Sequence, residues 1–269
     1  MLNAHPEIAV PPESRFIVEL WHGTDQIEVA DYLKELAAHK RFQAWDLPIE
    51  AVAAELDGDR VSYADAIDAT FRAWARAAGR SRWGDKTPRY IEHIPFISRL
   101  FPRGKFIHLI RDGRDVALSY ANVPFGPKSV AEAARLWAER VSTGRRDGCV
   151  LTGSRYLEIR YEDLVEDAEG EIKDICDFLE VDFDPGMLDY TQRARSAVLP
   201  RAARYNPKVM EKPSAGRSWR DEMDARDIEV FEAIAGDMLS ELGYERRYPE
   251  PSSKARRKAK LQLLRSKLG

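Results

Sequence analysis

Apolar residues recur every three to four positions along several stretches of the chain, which is the spacing of a helix that buries one face. The clearest stretch is 62–79, where Ile67 and Phe71 lie on the apolar stripe, Ser62 offers a capping hydroxyl and Gly79 ends the helix. The same spacing predicts further helices at 24–40, 91–101, 113–121, 129–143, 163–179 and 224–242. Residues 1–13 are rich in proline and are expected to end a helix and continue as a loop.

Two short runs interrupt this helical pattern. Residues 105–110 read Lys-Phe-Ile-His-Leu-Ile and residues 155–160 read Arg-Tyr-Leu-Glu-Ile-Arg, and each is typical of a buried parallel strand. A shorter strand is predicted at 82–86. Because strands alternate with helices, the sequence indicates an α/β fold with a parallel sheet.

Composition limits the possible classes of protein. The chain has 269 residues, 44% hydrophobic and 32% charged, which suits one large α/β domain or two small ones with a polar surface. No run of eighteen apolar residues is present, so no membrane span is expected. Cys149 and Cys176 form no Cys-x-x-Cys pair and no zinc-ligand spacing, so we expect no metal and a reducing, cytoplasmic setting.

Charge is unevenly distributed along the chain. The formal net charge is -3, which does not suggest a nucleic-acid partner. Residues 251–269 carry seven basic residues and no acid, so residues 1–250 sum to -10. We therefore divide the chain into a domain at 1–249 and a basic helical or disordered tail at 250–269. The tail is either a solvated helix or a contact to an anionic partner or membrane surface.

A strand, a tight turn and a helix follow one another at 106–120. Arg111 stands at the end of the predicted strand, where ligands of open α/β sheets bind, and its planar guanidinium suits a phosphate. Ser119 lies about two turns into the following helix and could donate its hydroxyl to the same anion. A charged surface turn capped by Asp112 is the alternative. Arg114 could line an acceptor site or pair with Asp115.

The nine residues from Arg111 to Ser119, Arg-Asp-Gly-Arg-Asp-Val-Ala-Leu-Ser, resemble the 3′-phosphate-binding motif of sulfotransferases that use 3′-phosphoadenosine 5′-phosphosulfate. The resemblance implies that Arg111 and Ser119 hold the 3′-phosphate of this co-substrate. Residues 85–88 and 98–106 are similar to the corresponding runs of tyrosylprotein sulfotransferases. The implied fold is a P-loop-NTPase-like parallel sheet flanked by helices.

Two later segments extend the resemblance. Residues 160–164 are similar to the family's Tyr-Glu-Asp segment, which implies that Tyr161 lies near the adenine. Residues 216–220 resemble a Gly-x-Trp-Arg/Lys loop that covers the nucleotide, which implies nucleotide contacts for Arg217 and Trp219.

The resemblance also assigns catalytic roles near the start of the chain. Residues 1–15 are similar to the segment that follows the phosphosulfate loop, which implies that Glu13 is the catalytic base. Lys86 matches the lysine that stabilises charge on the transferring sulfuryl group. The alternatives are an exposed loop acid for Glu13 and a surface lysine paired with Asp85 for Lys86. Pro88 stands where cytosolic small-molecule sulfotransferases carry their histidine base.

One part of the family pattern is missing from the sequence. Family members begin with a buried strand and a Gly-x-x-Arg-Ser-Gly-Thr-Thr type loop, whose backbone N–H groups hold the 5′-phosphosulfate. No such loop occurs here, so we expect the first central strand and this loop to be absent and Met1 to be an internal methionine. A chain that truly starts at Met1 is expected to bind nucleotide weakly and to turn over little.

The sequence therefore predicts a sulfotransferase that transfers a sulfuryl group to a hydroxyl or amine of a small-molecule or peptide acceptor, without a metal and without nucleic acid. A catalytically inactive relative that binds a nucleotide or a partner chain is the alternative. A nucleotide kinase would need a Gly-x-x-x-x-Gly-Lys-Ser/Thr loop, which is absent. No motif identifies the acceptor.

Overall fold

The structure is a computed structural model that describes residues 1–120, 126–151, 153–189 and 218–266. The chain divides into two units, one formed by Met1–Gly104 with Ile172–Lys212 and the other by Lys105–Glu171 with Pro213–Gly269.

The first unit contains four short strands and six helices in its N-terminal segment. The strands are β1 (Ile8–Ala9), β2 (Gln26–Glu28), β3 (Arg60–Ser62) and β4 (Arg82–Trp83), and the helices are α1 (Phe16–Glu19), α2 (Val29–Ala38), α3 (Lys40–Gln43), α4 (Ile49–Ala53), α5 (Tyr63–Ala77) and α6 (Ile94–Leu100). Single 3₁₀ segments lie at Leu2–Ala4, Pro88–His93 and Pro185–Met187. Strands β1 and β4 pair in parallel, whereas β2 and β3 pair antiparallel.

The second unit is built on a parallel pair of strands. Its described elements are β5 (Phe106–Ile110), α7 (Gly113–Tyr120), α8 (Val130–Cys149), β6 (Tyr156–Arg160), α9 (Tyr161–Glu166), α11 (Trp219–Glu222), α12 (Ala225–Glu241) and α13 (Ser253–Ser266). The register of the pair runs from Phe106 opposite Tyr156 to Ile110 opposite Arg160. The boundary between the units falls within α10 (Ala168–Leu179).

An aromatic core holds the first unit together. The rings of Phe16 and Trp45 have centroids 5.1 Å apart, those of Trp45 and Phe71 are 5.2 Å apart, and Phe71 stacks on Trp83 at 4.4 Å. The Trp45 indole N–H donates to the carbonyl of Pro12 at 2.8 Å, so this buried ring has no unsatisfied donor. This core fixes the chain segments that lead into and out of β1 and β4.

A close approach of helices shapes the second unit. Gly113 begins α7, and a Cβ at this position would collide with the rings of Trp137 on α8 and Phe231 on α12. Only glycine lets the first turn of α7 lie against both rings. The position of this turn matters because it follows directly on the predicted phosphate ligand Arg111.

Most predicted elements are present, with differences that have local causes. The helix predicted at 62–79 is α5, and the Ser62 hydroxyl accepts from the Asp65 N–H at 3.0 Å. The helix predicted at 24–40 is wrong at its start, because β2 pairs with β3 there. The loop predicted at 1–13 contains β1, and α6 starts late because Pro95 lies in its first turn. The helix predicted at 163–179 is two helices.

The basic tail forms a helix with a packed face. Ala255 and Ala259 of α13 are each 4% exposed and pack against Ala131 of α8 and Val230 of α12. The prediction of a fully solvated helix is therefore wrong for the face that carries Ala255 and Ala259, because these small residues fit closely against α8 and α12. The division of the chain at residues 249 and 250 stays a prediction.

Candidate functional site

The strand ends in the second unit bring two predicted nucleotide ligands together. Arg111 follows β5 directly and Tyr161 follows β6 directly. Because Ile110 is opposite Arg160 in the parallel register, the next residue of each strand lies at the same sheet edge. The guanidinium carbon of Arg111 lies 4.8 Å from the centroid of the Tyr161 ring, within the range of a cation–π contact.

Ser119 and Arg111 both contact Asp115 of α7. Asp115 lies four residues from each: an Arg111 guanidinium nitrogen is 3.7 Å from the Asp115 carboxylate, and the Ser119 hydroxyl donates to the Asp115 carbonyl at 3.1 Å. The Arg111 side chain is 26% exposed and Ser119 is exposed, so both are open to a ligand from solvent.

Asp115 adds a negative charge to this side of α7. Burial of the carboxyl raises the pKa of Asp115 above its usual range, and the backbone N–H of Trp219 opposes the shift by donating to its Oδ1 at 2.7 Å. An anion bound by Arg111 would therefore lie near the Asp115 carboxyl, whose ionised form is already disfavoured by burial.

Trp219 contacts this site through its backbone N–H, whereas its ring is buried. The residue begins α11 and is 4% exposed, and the buried Arg114 guanidinium lies 3.6 Å from the centroid of its ring. The nucleotide contact predicted for Trp219 stays a prediction. Arg217 lies outside the described residues, so its predicted role also stays a prediction.

Arg114 is part of a buried ion network. Its guanidinium donates to Asp112 at 2.7 and 3.0 Å and to Glu232 of α12 at 2.7 Å. Arg114 is 0% exposed, so it supports the turn rather than lining an acceptor site, and its partners are Asp112 and Glu232 rather than Asp115. Asp112 also accepts from the Arg114 N–H at 2.9 Å, which caps α7.

The first unit brings the two predicted catalytic residues together. Glu13 follows β1 by four residues, and Lys86 follows β4 by three. Since β1 and β4 are parallel neighbours, the segments after them leave the sheet at one edge. The Lys86 ammonium donates to the Glu13 carboxylate at 3.0 Å, with 61% of the lysine side chain and 29% of the glutamate side chain exposed.

A buried polar network lies beside this ion pair. The Ser14 N–H donates to the Thr87 hydroxyl at 3.0 Å, the Ser14 hydroxyl shares a hydrogen bond of 2.9 Å with the Tyr90 hydroxyl, and Tyr90 accepts from the Ile17 N–H at 3.1 Å. These bonds tie the residue after Glu13 to the residue after Lys86. Sequence reasoning missed this network, although Ser14 and Thr87 directly follow the two predicted catalytic residues.

Asp85 is the buried acid of the same network. Both of its carboxylate oxygens are buried, and this burial raises the pKa of Asp85 to about 6. The neighbouring hydroxyls of Ser14 and Thr87 and the charge of Lys86 offset part of the shift. The proposed pairing of Lys86 with Asp85 is thus replaced by the hydrogen-bonded pair of Lys86 with Glu13.

Comparison with known proteins assigns the family. A sequence profile described as the sulfotransferase family matches residues 1–185. The chain belongs to the sulfotransferase family. The family predicted from the sequence is thereby confirmed, whereas the roles of the individual site residues stay predictions.

The curated relatives are distant and longer. The nodulation protein NoeE of Sinorhizobium fredii (strain NBRC 101917 / NGR234) is 25% identical over 91% of this chain and 62% of its own length. Protein-tyrosine sulfotransferase 1 of Danio rerio is 23% identical over 60% of this chain and 48% of its own length. Omega-hydroxy-beta-dihydromenaquinone-9 sulfotransferase Stf3 of Mycobacterium tuberculosis (strain CDC 1551 / Oshkosh) is 25% identical over 62% of this chain and 42% of its length. The chain thus spans less than two thirds of each.

Solved sulfotransferase domains share the fold. The sulfotransferase domain from the curacin biosynthetic pathway has a TM-score of 0.62 at 19% identity and covers 91% of both chains. The sulfotransferase domain of the Synechococcus PCC 7002 olefin synthase has a TM-score of 0.60 at 22% identity and covers 91% of this chain and 88% of the other. The predicted α/β class with parallel strands flanked by helices is confirmed.

The described part of the chain offers neither a cluster of metal ligands nor a helix suited to a bilayer. No three His, Cys, Asp or Glu side chains there meet in a way that would hold a metal ion. Nor does any helix of that part combine the length and apolarity needed to cross a bilayer.

Proposed function

We propose that this chain transfers a sulfuryl group from 3′-phosphoadenosine 5′-phosphosulfate to a hydroxyl or amine of a small-molecule or peptide acceptor. The observation that carries the proposal is the placement of Arg111 directly after β5 and against Tyr161, with Ser119 exposed on the helix α7 that follows. This arrangement supplies a cation at the carboxyl end of a parallel strand and a hydroxyl on the next helix.

Arg111 and Ser119 would hold the 3′-phosphate. The guanidinium can donate two parallel hydrogen bonds to a phosphate, and the Ser119 hydroxyl can add a third. The phosphate would also lie near the N-terminal turn of α7, where the helix dipole favours negative charge. The negative charge of Asp115 opposes binding of the phosphate, so Arg111 must offset the charge of this carboxylate as well as that of the phosphate.

Tyr161 suits the base of the nucleotide. Its ring lies at the end of β6 against Arg111, next to the proposed phosphate ligand. An aromatic ring beside a guanidinium offers an adenine both stacking area and a polar edge. Arg217 and Trp219 would add contacts to the bound nucleotide.

Glu13 and Lys86 would carry the reaction. As the acceptor oxygen or nitrogen forms its bond to sulfur, the Glu13 carboxylate takes up the acceptor proton. The bond between sulfur and the bridging phosphate oxygen breaks in the same step, and the Lys86 ammonium stabilises the negative charge that develops. The two side chains pair with each other at 3.0 Å, so the acceptor would enter by separating them.

A catalytically inactive protein that binds the nucleotide or a partner chain is the second candidate. Both candidates are tested by calorimetric titration of 3′-phosphoadenosine 5′-phosphate into the wild type and into Arg111→Ala. We expect the variant to lose about 2 kcal/mol of binding free energy, because a charged hydrogen-bonded pair is removed. The matched control is Arg135→Ala, an exposed arginine of α8 that pairs with Glu139.

Equal affinity of wild type and Arg111→Ala would contradict the phosphate site. Nucleotide binding that depends on Arg111, without labelled sulfuryl reaching any of a panel of phenols, sugars and amines, would favour the inactive alternative. Transfer of label to one acceptor class would support the enzyme and identify its acceptor.

A further inference from the structure

The helix α13 presents two different faces. Ala255, Ala259 and Gln262 recur at intervals of three to four residues and lie against the protein, where the Gln262 side-chain carbonyl accepts from the Ala131 N–H at 3.2 Å. This contact fixes how the helix is rotated about its axis. The opposite face is therefore directed to solvent as a defined surface.

That outward face combines basic and apolar residues. Positions 254, 258, 261 and 265 recur at helical spacing, and 257 and 264 flank them. The outward face consists of Lys254, Arg257, Lys258, Leu261, Leu264 and Arg265, and Lys260 borders it. Leu261 and Leu264 are 51% and 49% exposed, which is unusual for leucines in the same turn of a helix.

Most of these charges are available to a partner. Lys258 pairs with Asp227 at 2.8 Å, and Lys254 lies near Glu229. Within the described part of the chain, Arg257, Lys260 and Arg265 make no ion pair with an acid. Three cations thus face solvent next to two leucines.

We propose that the outward face of α13 docks on an anionic lipid surface. A basic amphipathic helix binds such a surface by electrostatic attraction to the headgroups and by inserting its apolar side chains between them. The helix has 14 residues and is about 21 Å long, which is too short to span a bilayer but sufficient to lie in its interface.

The two leucines favour lipid over nucleic acid as the partner. Cations alone would serve either polyanion, whereas exposed leucines gain free energy where hydrocarbon can cover them. The rest of the chain carries a net charge of -10 at residues 1–250, which repels any extended polyanion. Contact with a polyanion is therefore restricted to the basic face of α13. A flat lipid surface can reach this one helix face more readily than a nucleic-acid groove that would enclose the helix.

The test is co-sedimentation of the full chain with vesicles of phosphatidylcholine alone and with vesicles of equal parts phosphatidylcholine and phosphatidylglycerol. We expect binding to the mixed vesicles only, weakened by added salt. The triple variant Arg257→Gln, Lys260→Gln, Arg265→Gln should bind about a hundredfold more weakly. The double variant Leu261→Ser, Leu264→Ser should bind about tenfold more weakly.

Matched controls use exposed residues elsewhere in the same unit. Val150→Ser removes an apolar side chain that is 75% exposed, and Arg135→Gln removes an exposed cation, so both should bind like the wild type. Unfolding midpoints show whether each variant folds. Equal binding of both vesicle types, or wild-type binding by either α13 variant, would overturn the proposal. Binding to duplex DNA of random sequence but not to mixed vesicles would overturn it as well.

Discussion

The ammonium of Lys86 donates a hydrogen bond of 3.0 Å to the carboxylate of Glu13, a residue 73 positions earlier in the chain. Parallel pairing of β1 with β4 produces this contact, because both residues follow their strands at the same sheet edge. Two motifs that resemble one family at distant positions are thus adjacent in space. Residues that act in one reaction centre must lie close together in this way.

Replacement of the proposed base is the first prediction. Glu13→Gln keeps the size of the side chain but cannot accept a proton at neutral pH, so sulfuryl transfer should fall by about a hundredfold or more. Glu13→Asp should retain part of the activity. Nucleotide affinity, measured by calorimetry, should stay unchanged in both variants. Wild-type transfer rates in Glu13→Gln would show that Glu13 is an ordinary loop acid.

Removal of the Ser119 hydroxyl is the second prediction. Ser119→Ala should weaken binding of 3′-phosphoadenosine 5′-phosphate by about 1 kcal/mol, which is the usual contribution of a neutral hydrogen bond and less than expected for Arg111. Ser240→Ala is a matched control, because the Ser240 hydroxyl also donates to a carbonyl four residues earlier at 3.1 Å. A loss of the same size in both variants would contradict a specific role for Ser119.

Much of the second unit's site could be predicted from the sequence. The strand at 105–110 was predicted within one residue and the strand at 155–160 within one residue, because short apolar runs with flanking charges are typical of buried parallel strands. Their ends then define where Arg111 and Tyr161 lie. The pairing of β5 with β6 could not be predicted, since strand order depends on contacts distant in sequence.

Other features depended on contacts that no local pattern encodes. Glu232 lies 118 positions from Arg114, so the buried ion network could not be found from spacing alone. Strand β1 has two residues and gives no periodic signal. The buried residues of the packed face of α13 are alanines, which a hydrophobic pattern does not distinguish from a solvated helix.

The buried network of Arg114 leads to the third prediction. Arg114→Met should lower the free energy of unfolding by about 3–5 kcal/mol, because it leaves the carboxylates of Asp112 and Glu232 buried without their cation. Chemical denaturation measures this loss. Arg135→Met is the control: its ion pair with Glu139 is exposed, so the loss should stay below about 1 kcal/mol. Similar losses in the two variants would contradict the network.

The fourth prediction concerns Asp85 and pH. Burial raises the pKa of Asp85 to about 6, so the folded chain holds this proton more tightly than the unfolded chain does. The protonated acid therefore contributes stability that is fully present below the ordinary pKa of an aspartate, and this stability is lost as the pH rises through about 6. From pH 5 to pH 7 the loss amounts to about 1 kcal/mol.

Asp85→Asn isolates this contribution, because the amide is neutral at every pH and nearly the same size. At pH 7 the variant should unfold with a free energy about 3 kcal/mol higher than the wild type, and the difference should shrink toward acid pH as the wild-type carboxyl takes up its proton. The measurement is denaturant unfolding of both proteins at several pH values between 4 and 8. Contributions common to both proteins cancel in the difference. A difference that does not change with pH would mean that Asp85 stays ionised in the folded chain, and that Lys86 and the hydroxyls of Ser14 and Thr87 compensate its burial fully.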